Sequence, residues 1–249
     1  MSLNVTHLCR TFPTRHGPVQ ANIDLSLEVP AGHVHCLLGH NGAGKTTLIR
    51  QIVGLLRPTS GNIYLDGHDL VARPEVARSL VSVQAQGTVP VSGLAPRKAI
   101  ELVGRLRGLS RAESKRRAAV LIEALDIGEW ADRVSQTLSG GVARLTAFAM
   151  AVVAPGKLVA LDEPTNDVDP VRRQLLWRQV REVADAGAAI LLVTHNVREA
   201  ETAVDRLTLL DHGRVIAEGS RAELFSGPDA PPSLEDLYLQ LTQQAEESQ

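Results

Sequence analysis

The residues most able to do chemistry lie early in the chain. The stretch "GHNGAGKTT" runs from Gly39 through His40, Asn41, Gly42, Ala43, Gly44, Lys45 and Thr46 to Thr47, and it fits G-x-x-x-x-G-K-[ST]. Glycines at these places let backbone N–H groups face a phosphate, and a helix opening there adds its partial positive charge. Lys45 is spaced to reach β- and γ-phosphates, and the Thr46 hydroxyl to ligate Mg²⁺. The loop follows the apolar run "HVHCLLG" and leads into "TTLIRQIVGLL". That strand–loop–helix context is the one this chemistry needs. A glycine-rich turn with an incidental lysine is the alternative, and the flanks argue against it.

A phosphate loop alone leaves many reactions open, so the carboxylates must choose. Asp162 ends the apolar run "KLVALD" and Glu163 follows at once. An aspartate at such a strand end holds Mg²⁺. Glu163, one residue nearer solvent, is placed to orient or deprotonate an attacking water. An acidic pair capping a helix that starts at Pro164-Thr165 is the competing reading, and the two roles are compatible. His195 ends "AAILLVTH", where a neutral imidazole could bond a γ-phosphate or the water. Gln86 closes "LVSVQAQ" and could touch the metal or the water, although Gln84 is two residues away. Metal ligation is therefore assigned to Thr46, Gln86 and Asp162, and catalysis to Glu163, His195 and Gln86.

A second glycine turn, "LSGGVARL", puts Ser139, Gly140 and Gly141 before an apolar helix. This is another helix N-terminus with a hydroxyl and open N–H groups, suited to an anion. A plain serine N-cap is the simpler reading. The turn falls in a helical region far along the chain from Lys45. A second chain arranged head-to-tail would bring it onto the first chain's γ-phosphate.

The elements that must position these residues follow an alternating α/β pattern. "IDLSLEV" alternates like a half-exposed strand, and "KLVALDEP" and "AAILLVTHN" are continuous apolar runs suited to parallel strands covered on both faces. Ligands sit at the carboxyl ends of such strands, where both runs carry their candidate chemistry. "TTLIRQIVGLL" reads as a helix ended by Pro58. "KAIELVGRLRGL" and "SKRRAAVLIEAL" have helical periodicity, the second opened by the capping pair Ser110 and Glu113. "RLTLLDHGRVIAEG" reads as a hairpin turning at His212-Gly213, and "SLEDLYLQLT" as a short C-terminal helix. The expected fold is α/β, parallel strands with an inserted helical subdomain. The expected boundaries are a nucleotide-binding domain over 1–225, with the core at about 1–90 and 152–225, helices at about 91–151 and a tail at 226–249.

Composition excludes several classes. Of 249 residues, 26 are Lys or Arg and 28 Asp or Glu, a net charge of −2, and aromatics make up 3%. No basic stripe or base-stacking platform is implied, so nucleic acid is not an expected partner. The two cysteines, Cys9 and Cys36, make neither a C-x-x-C pair nor a disulfide framework. His33 and His35 could share a strand face, but with no third ligand nearby zinc is not expected there. No secretory signal and no run of 18 apolar residues is seen, so the expected location is cytosolic unless a partner holds the chain at a membrane.

Taken together, "GHNGAGKTT", Gln86, "LSGG", "LVALDEP", "NDVDP" and "VTH" occur in an order and spacing that resemble an ATP-binding cassette (ABC) ATPase domain over nearly the whole chain. The resemblance implies a P-loop, RecA-like core with a mostly parallel sheet and an N-terminal antiparallel part. It implies ATP and Mg²⁺ as cofactors and a nucleotide-sandwich dimer with a like or paralogous chain. It also implies a separate membrane permease as partner, with this chain at the cytoplasmic membrane face. It places Phe12 where the family has an adenine-stacking aromatic and Asp169 in the D-loop. "LAPRKAIELVGRLRGLS" is similar to a stretch of bacterial exporter ATPases of the drug and antibiotic self-resistance kind. The chain departs from the family where Val142 follows "LSGG" instead of Gln, and where Asp167 and Val168 replace Gly and Leu in the D-loop. A weakened signature contact is the expected result of Val142. A soluble ABC ATPase acting on nucleic acid or ribosomes is the alternative, but it would suit two cassettes or a long coiled coil, neither of which is seen. A small-molecule kinase would have no use for "LSGG".

Overall fold

The computed structural model describes residues 2–86, 93–134, 138–194, 204–226, 236–237 and 239–240. Two sheets organise it. An antiparallel sheet has the order β2 (Gly17–Pro30), β1 (Ser2–Thr14), β4 (Ser60–Leu65), β5 (His68–Asp69). A six-stranded sheet has the order β10 (Arg214–Gly219), β9 (Arg206–Asp211), β3 (Val34–Leu38), β8 (Ala189–Thr194), β7 (Leu158–Asp162), β6 (Val81–Gln84). Every pairing in it from β9 to β6 is parallel, and only β10 runs antiparallel. This is the mostly parallel α/β core with an antiparallel N-terminal part that the sequence predicts.

The apolar runs are continuous because each central strand feeds two cores. On β3, Cys36 and Leu38 enter one hydrophobic cluster while Leu37 enters the other. On β7, Val159 and Leu161 face the first cluster, and Leu158 and Ala160 the second. Along the second half of β2, Leu25, Leu27 and Val29 are buried and Ser26 and Glu28 between them exposed, as the period-two pattern predicts. The first cluster is filled by α3 (Pro96–Leu106), α4 (Arg111–Ala124), α5 (Gly140–Val152) and α6 (Pro170–Asp185). The second is closed by α1 (Lys45–Ile52) and the antiparallel sheet.

Three local expectations are corrected. Helix α1 ends at Ile52 and does not run to Pro58, because the chain turns through Gly54 at φ +73°. No helix starts at Pro164; residues 164–167 form turns, and α6 begins at Pro170 with Asp169 as its cap. Ser110 does accept from the Glu113 N–H at 3.1 Å, but the Glu113 carboxylate turns to Arg116 and Arg117 and does not complete a capping box. The hairpin at His212-Gly213 is present as β9 and β10. Of the C-terminal helix, the described residues 236, 237, 239 and 240 are helical.

Arg107, just past α3, ties the helical region to the sheet. Its guanidinium donates to the carbonyls of Ala154 (2.6 Å), Ser79 (3.2 Å) and Val81 (3.3 Å). No described helix is long and apolar enough to cross a membrane.

Candidate functional site

A cleft of about 380 Å³ opens at the carboxyl ends of β3 and β7. Its lining includes Asn41, Gly42, Gly44, Lys45, Thr46, Thr47, Gln86, Asp162 and Glu163. Residues far apart in sequence therefore meet there, as the strand-end rule for parallel sheets requires. Gly44 caps α1 in the left-handed region, φ +103°, a conformation any side chain would strain. A Cβ there would also collide with the Ala21 carbonyl. Buried Asn22 secures the loop from behind, its amide donating to the Gly44 carbonyl at 3.2 Å.

Lys45 lies mostly buried, and its ammonium donates to the carbonyls of Gly39 (2.5 Å) and His40 (3.0 Å). Burial pulls its pKa down, opposed by the Glu163 and Asp162 carboxylates. The Thr46 hydroxyl donates to Asp162 Oδ2 at 3.3 Å. Asp162 is 2% exposed, and burial pushes its pKa up against the Thr46 hydrogen bond. A hydroxyl and a buried carboxylate converging on one spot are hard oxygen donors, the set that suits Mg²⁺.

Glu163 is also 2% exposed, so it is buried where the sequence reading put it toward solvent. Its N–H donates to the Val193 carbonyl (2.8 Å), and its Oε2 accepts from the Thr194 hydroxyl (3.1 Å). These bonds hold its backbone at φ +52°, a conformation a non-glycine residue keeps only when its surroundings impose it. Thr194 was not among the sequence candidates; its only signal was its place beside His195. His195 itself lies outside the described residues.

The two glutamines are placed differently. Gln84 is buried with its amide on the Arg144 carbonyl (3.4 Å), whereas Gln86 lines the cleft. Arg144, on α5, in turn donates to the Gln86 carbonyl at 3.0 Å. The helix that starts with the signature glycines thus grips the segment carrying Gln86.

Ser139, Gly140 and Gly141 do not line this cleft. Ser139 caps α5, its hydroxyl accepting from the Val142 N–H at 3.4 Å. Both glycines pack on Asp167: a Cβ on Gly141 would lie 2.5 Å from the Asp167 carbonyl oxygen. Val142 is 4% exposed and belongs to the helical core. Asp169 accepts from the N–H groups of Val171 and Arg172 and from the Arg172 guanidinium, which together hold its pKa below the usual carboxylate range. Phe12 does not line the cleft; the Arg10 guanidinium sits 4.4 Å above its ring. The His40 side chain does not line the cleft either; its Nε2 lies 3.1 Å from Asp211 Oδ1. His35 is a buried core histidine with its Nε2 2.7 Å from the Thr208 hydroxyl.

Comparison with known proteins agrees with this geometry. The ABC transporter family model matches residues 23–166. The daunorubicin/doxorubicin resistance ATP-binding protein DrrA of Streptomyces peucetius is 43% identical over 202 residues, covering 81% of this chain and 61% of that protein. This chain thus spans less than two-thirds of that relative's length. The Nod factor export ATP-binding protein I of Ralstonia nicotianae is 32% identical, covering 94% of this chain and 76% of the relative. A solved structure described as the ATP binding subunit of an ABC transporter superposes with a TM-score of 0.88 at 29% identity, covering 97% of this chain and all of that one. The chain belongs to the ABC transporter family.

Proposed function

We propose that this chain is the ATP-hydrolysing subunit of an ABC exporter. It works as a nucleotide-sandwich dimer, with a second copy or a paralogue, against a separate permease at the cytoplasmic face of the membrane. The observation that carries the reading is the convergence of Lys45, Thr46, Asp162 and Glu163 on one cleft at the strand ends. Names of relatives support it: one is a drug resistance ATP-binding protein and another a Nod factor export ATP-binding protein. A neighbour with a TM-score of 0.79, 20% identical and so informative for the fold alone, is described as a dimeric post-hydrolysis state bound to ADP and Pi.

In this reading the loop N–H groups and Lys45 bind the β- and γ-phosphates, exchanging the Gly39 and His40 carbonyls for phosphate oxygens as partners of the ammonium. Thr46 and Asp162 would hold Mg²⁺, whose chemistry would be charge neutralisation at the phosphates. Glu163 takes a proton from the attacking water, fixed in place by Thr194. Gln86 follows the γ-phosphate and, through Arg144, reports to α5. Ser139 and the N–H groups beside it serve the nucleotide of the second chain. Closure of the dimer moves the permease, and hydrolysis reopens it.

The permease is assigned to an apolar groove of about 460 Å³ whose lining includes Leu55, Val81, Val83, Ala85 and Met150. Leu55 is 74% exposed and Val83 41%, large apolar surface next to Gln86 that a partner would cover. The test is phosphate release from Mg·ATP by the purified chain. Release that is lost with nucleotide binding in Lys45→Ala supports the reading. A chain that neither binds nor hydrolyses ATP, or that transfers phosphate to a small molecule, overturns it.

A further inference from the structure

Outside the lining of the nucleotide cleft, the side chains of His40, Asp211 and His212 converge. One ligand atom from each lies within 4.8 Å of the other two. His40 Nε2 is 3.1 Å from Asp211 Oδ1, and His212 Nε2 is 4.0 Å from Asp211 Oδ2. The two imidazole rings stand 5.2 Å apart at 56°. We propose that this cluster binds a transition-metal dication of the Zn²⁺ class, clamping the phosphate loop to the β9–β10 turn.

The His40 ring supplies the first argument. Its Nδ1 lies 2.6 Å from the Asn41 carbonyl, which only an N–H can satisfy. Nε2 faces Asp211 Oδ1 at 3.1 Å, either as the second N–H of an imidazolium or as the lone pair of the neutral ring. In the neutral ring a cation between nitrogen and carboxylate is attracted by both. A histidine whose other nitrogen donates to a backbone carbonyl is also the arrangement that orients metal-binding imidazoles.

The second argument is donor chemistry. Two imidazoles and one carboxylate suit Zn²⁺, Co²⁺, Ni²⁺ or Cu²⁺, whereas Mg²⁺ and Ca²⁺ need an oxygen shell. Ligand atoms around a tetrahedral zinc lie about 3.3 Å apart, from bonds of about 2.0 Å. The His40–Asp211 pair already has that spacing. His212 must close in, and its side chain is 69% exposed and free to rotate, while the Asp211 side chain is only 10% exposed.

The third argument is that both supports are fixed. The Gly213 N–H donates to the Ala43 carbonyl at 3.1 Å, and the Gly213 carbonyl accepts from Ile23 at 2.8 Å. The turn and the phosphate loop are therefore already docked, so binding costs little further ordering. Metal here would stiffen the loop that cradles the phosphates without touching the cleft.

The test is titration of the nucleotide-free chain, carrying no polyhistidine tag, with Co²⁺ in excess Mg²⁺. The expected result is one Co²⁺ per chain with visible bands of imidazole ligation, displaced by Zn²⁺. His212→Asn keeps a residue that tolerates the left-handed turn, φ +43° here, and is expected to weaken binding about tenfold or more. Asp211→Asn should do the same. Independently of any variant, Zn²⁺ should shift the ring resonances of two of the eight histidines in the wild-type chain. Absence of Co²⁺ binding, affinity unchanged in His212→Asn, or Zn²⁺ shifts on other histidines overturns the proposal.

Discussion

The Thr194 hydroxyl donates to Oε2 of Glu163 at 3.1 Å, which ties the carboxylate at the end of β7 to the last residue of β8. One oxygen of Glu163 is therefore engaged in orienting the carboxylate. Glu163→Gln keeps the shape but removes the base. Phosphate release is expected to fall by about 10²–10⁴-fold while ATP binding persists. Light scattering on this variant should show mass doubling with Mg·ATP. Undiminished turnover would remove Glu163 from the reaction.

Thr194→Val tests the orienting bond by itself. The water would still meet a carboxylate, but a less well aimed one. A fall in kcat of about tenfold, near 1.4 kcal/mol of barrier, with an unchanged KM for ATP is expected. A KM effect alone would mean that Thr194 serves nucleotide binding.

Why Glu163 was legible as a residue but not as a buried one is instructive. The phosphate loop is a local signal: Gly44, Lys45 and Thr46 are adjacent, and their geometry follows from one turn. Two-sided burial of β7 and β8 was readable from unbroken apolar runs. The seat of Glu163 depends instead on Val193 and Thr194, thirty residues on, and the support of the loop on Asn22 from a different sheet. Such contacts have no period in sequence. The same limit explains Val142, whose family position suggested a ligand contact while its packing is set by α5 facing the helical core.

The two signature glycines are expected to differ. A Cβ on Gly140 meets the Asp167 side chain at an ordinary 3.4 Å, but on Gly141 it meets the Asp167 backbone oxygen at 2.5 Å. Gly140→Ala should unfold within about 0.5 kcal/mol of wild type, and Gly141→Ala should lose about 1–3 kcal/mol through overpacking. Urea denaturation compares them directly. Equal midpoints would mean that the turn at Asp167 yields freely.

His35 gives the fold a pH dependence. Burial, with Arg206 adding to it, lowers its pKa from 6.5 to about 4. Between those values the unfolded chain binds the proton and the folded chain does not, so stability falls as pH drops from 6.5 toward 4. The full loss from this residue is about 3 kcal/mol. His35→Gln retains an amide to meet Thr208 but cannot titrate. Unfolding free energies of the two chains should converge as the pH falls through this window; parallel curves would show that His35 is not the source.

Val142→Gln restores the residue usual in the family, and two outcomes compete. If the position served only nucleotide contact, the change would raise activity at no cost to folding. In this structure the Val142 side chain is 4% exposed among the apolar side chains of the helical core. Its N–H is already used by Ser139 and its carbonyl by the Thr146 hydroxyl, at 2.8 Å. A glutamine amide in that place must either find partners inside the cluster or push the start of α5 outward. Burying it unpaired costs about 1–3 kcal/mol, and displacing α5 would disturb Arg144 and the Gln86 carbonyl it holds. The expected result is lower stability by that amount, with phosphate release no higher than wild type. A variant at least as stable and more active would show that the surrounding core tolerates glutamine and that the valine is what weakens the signature.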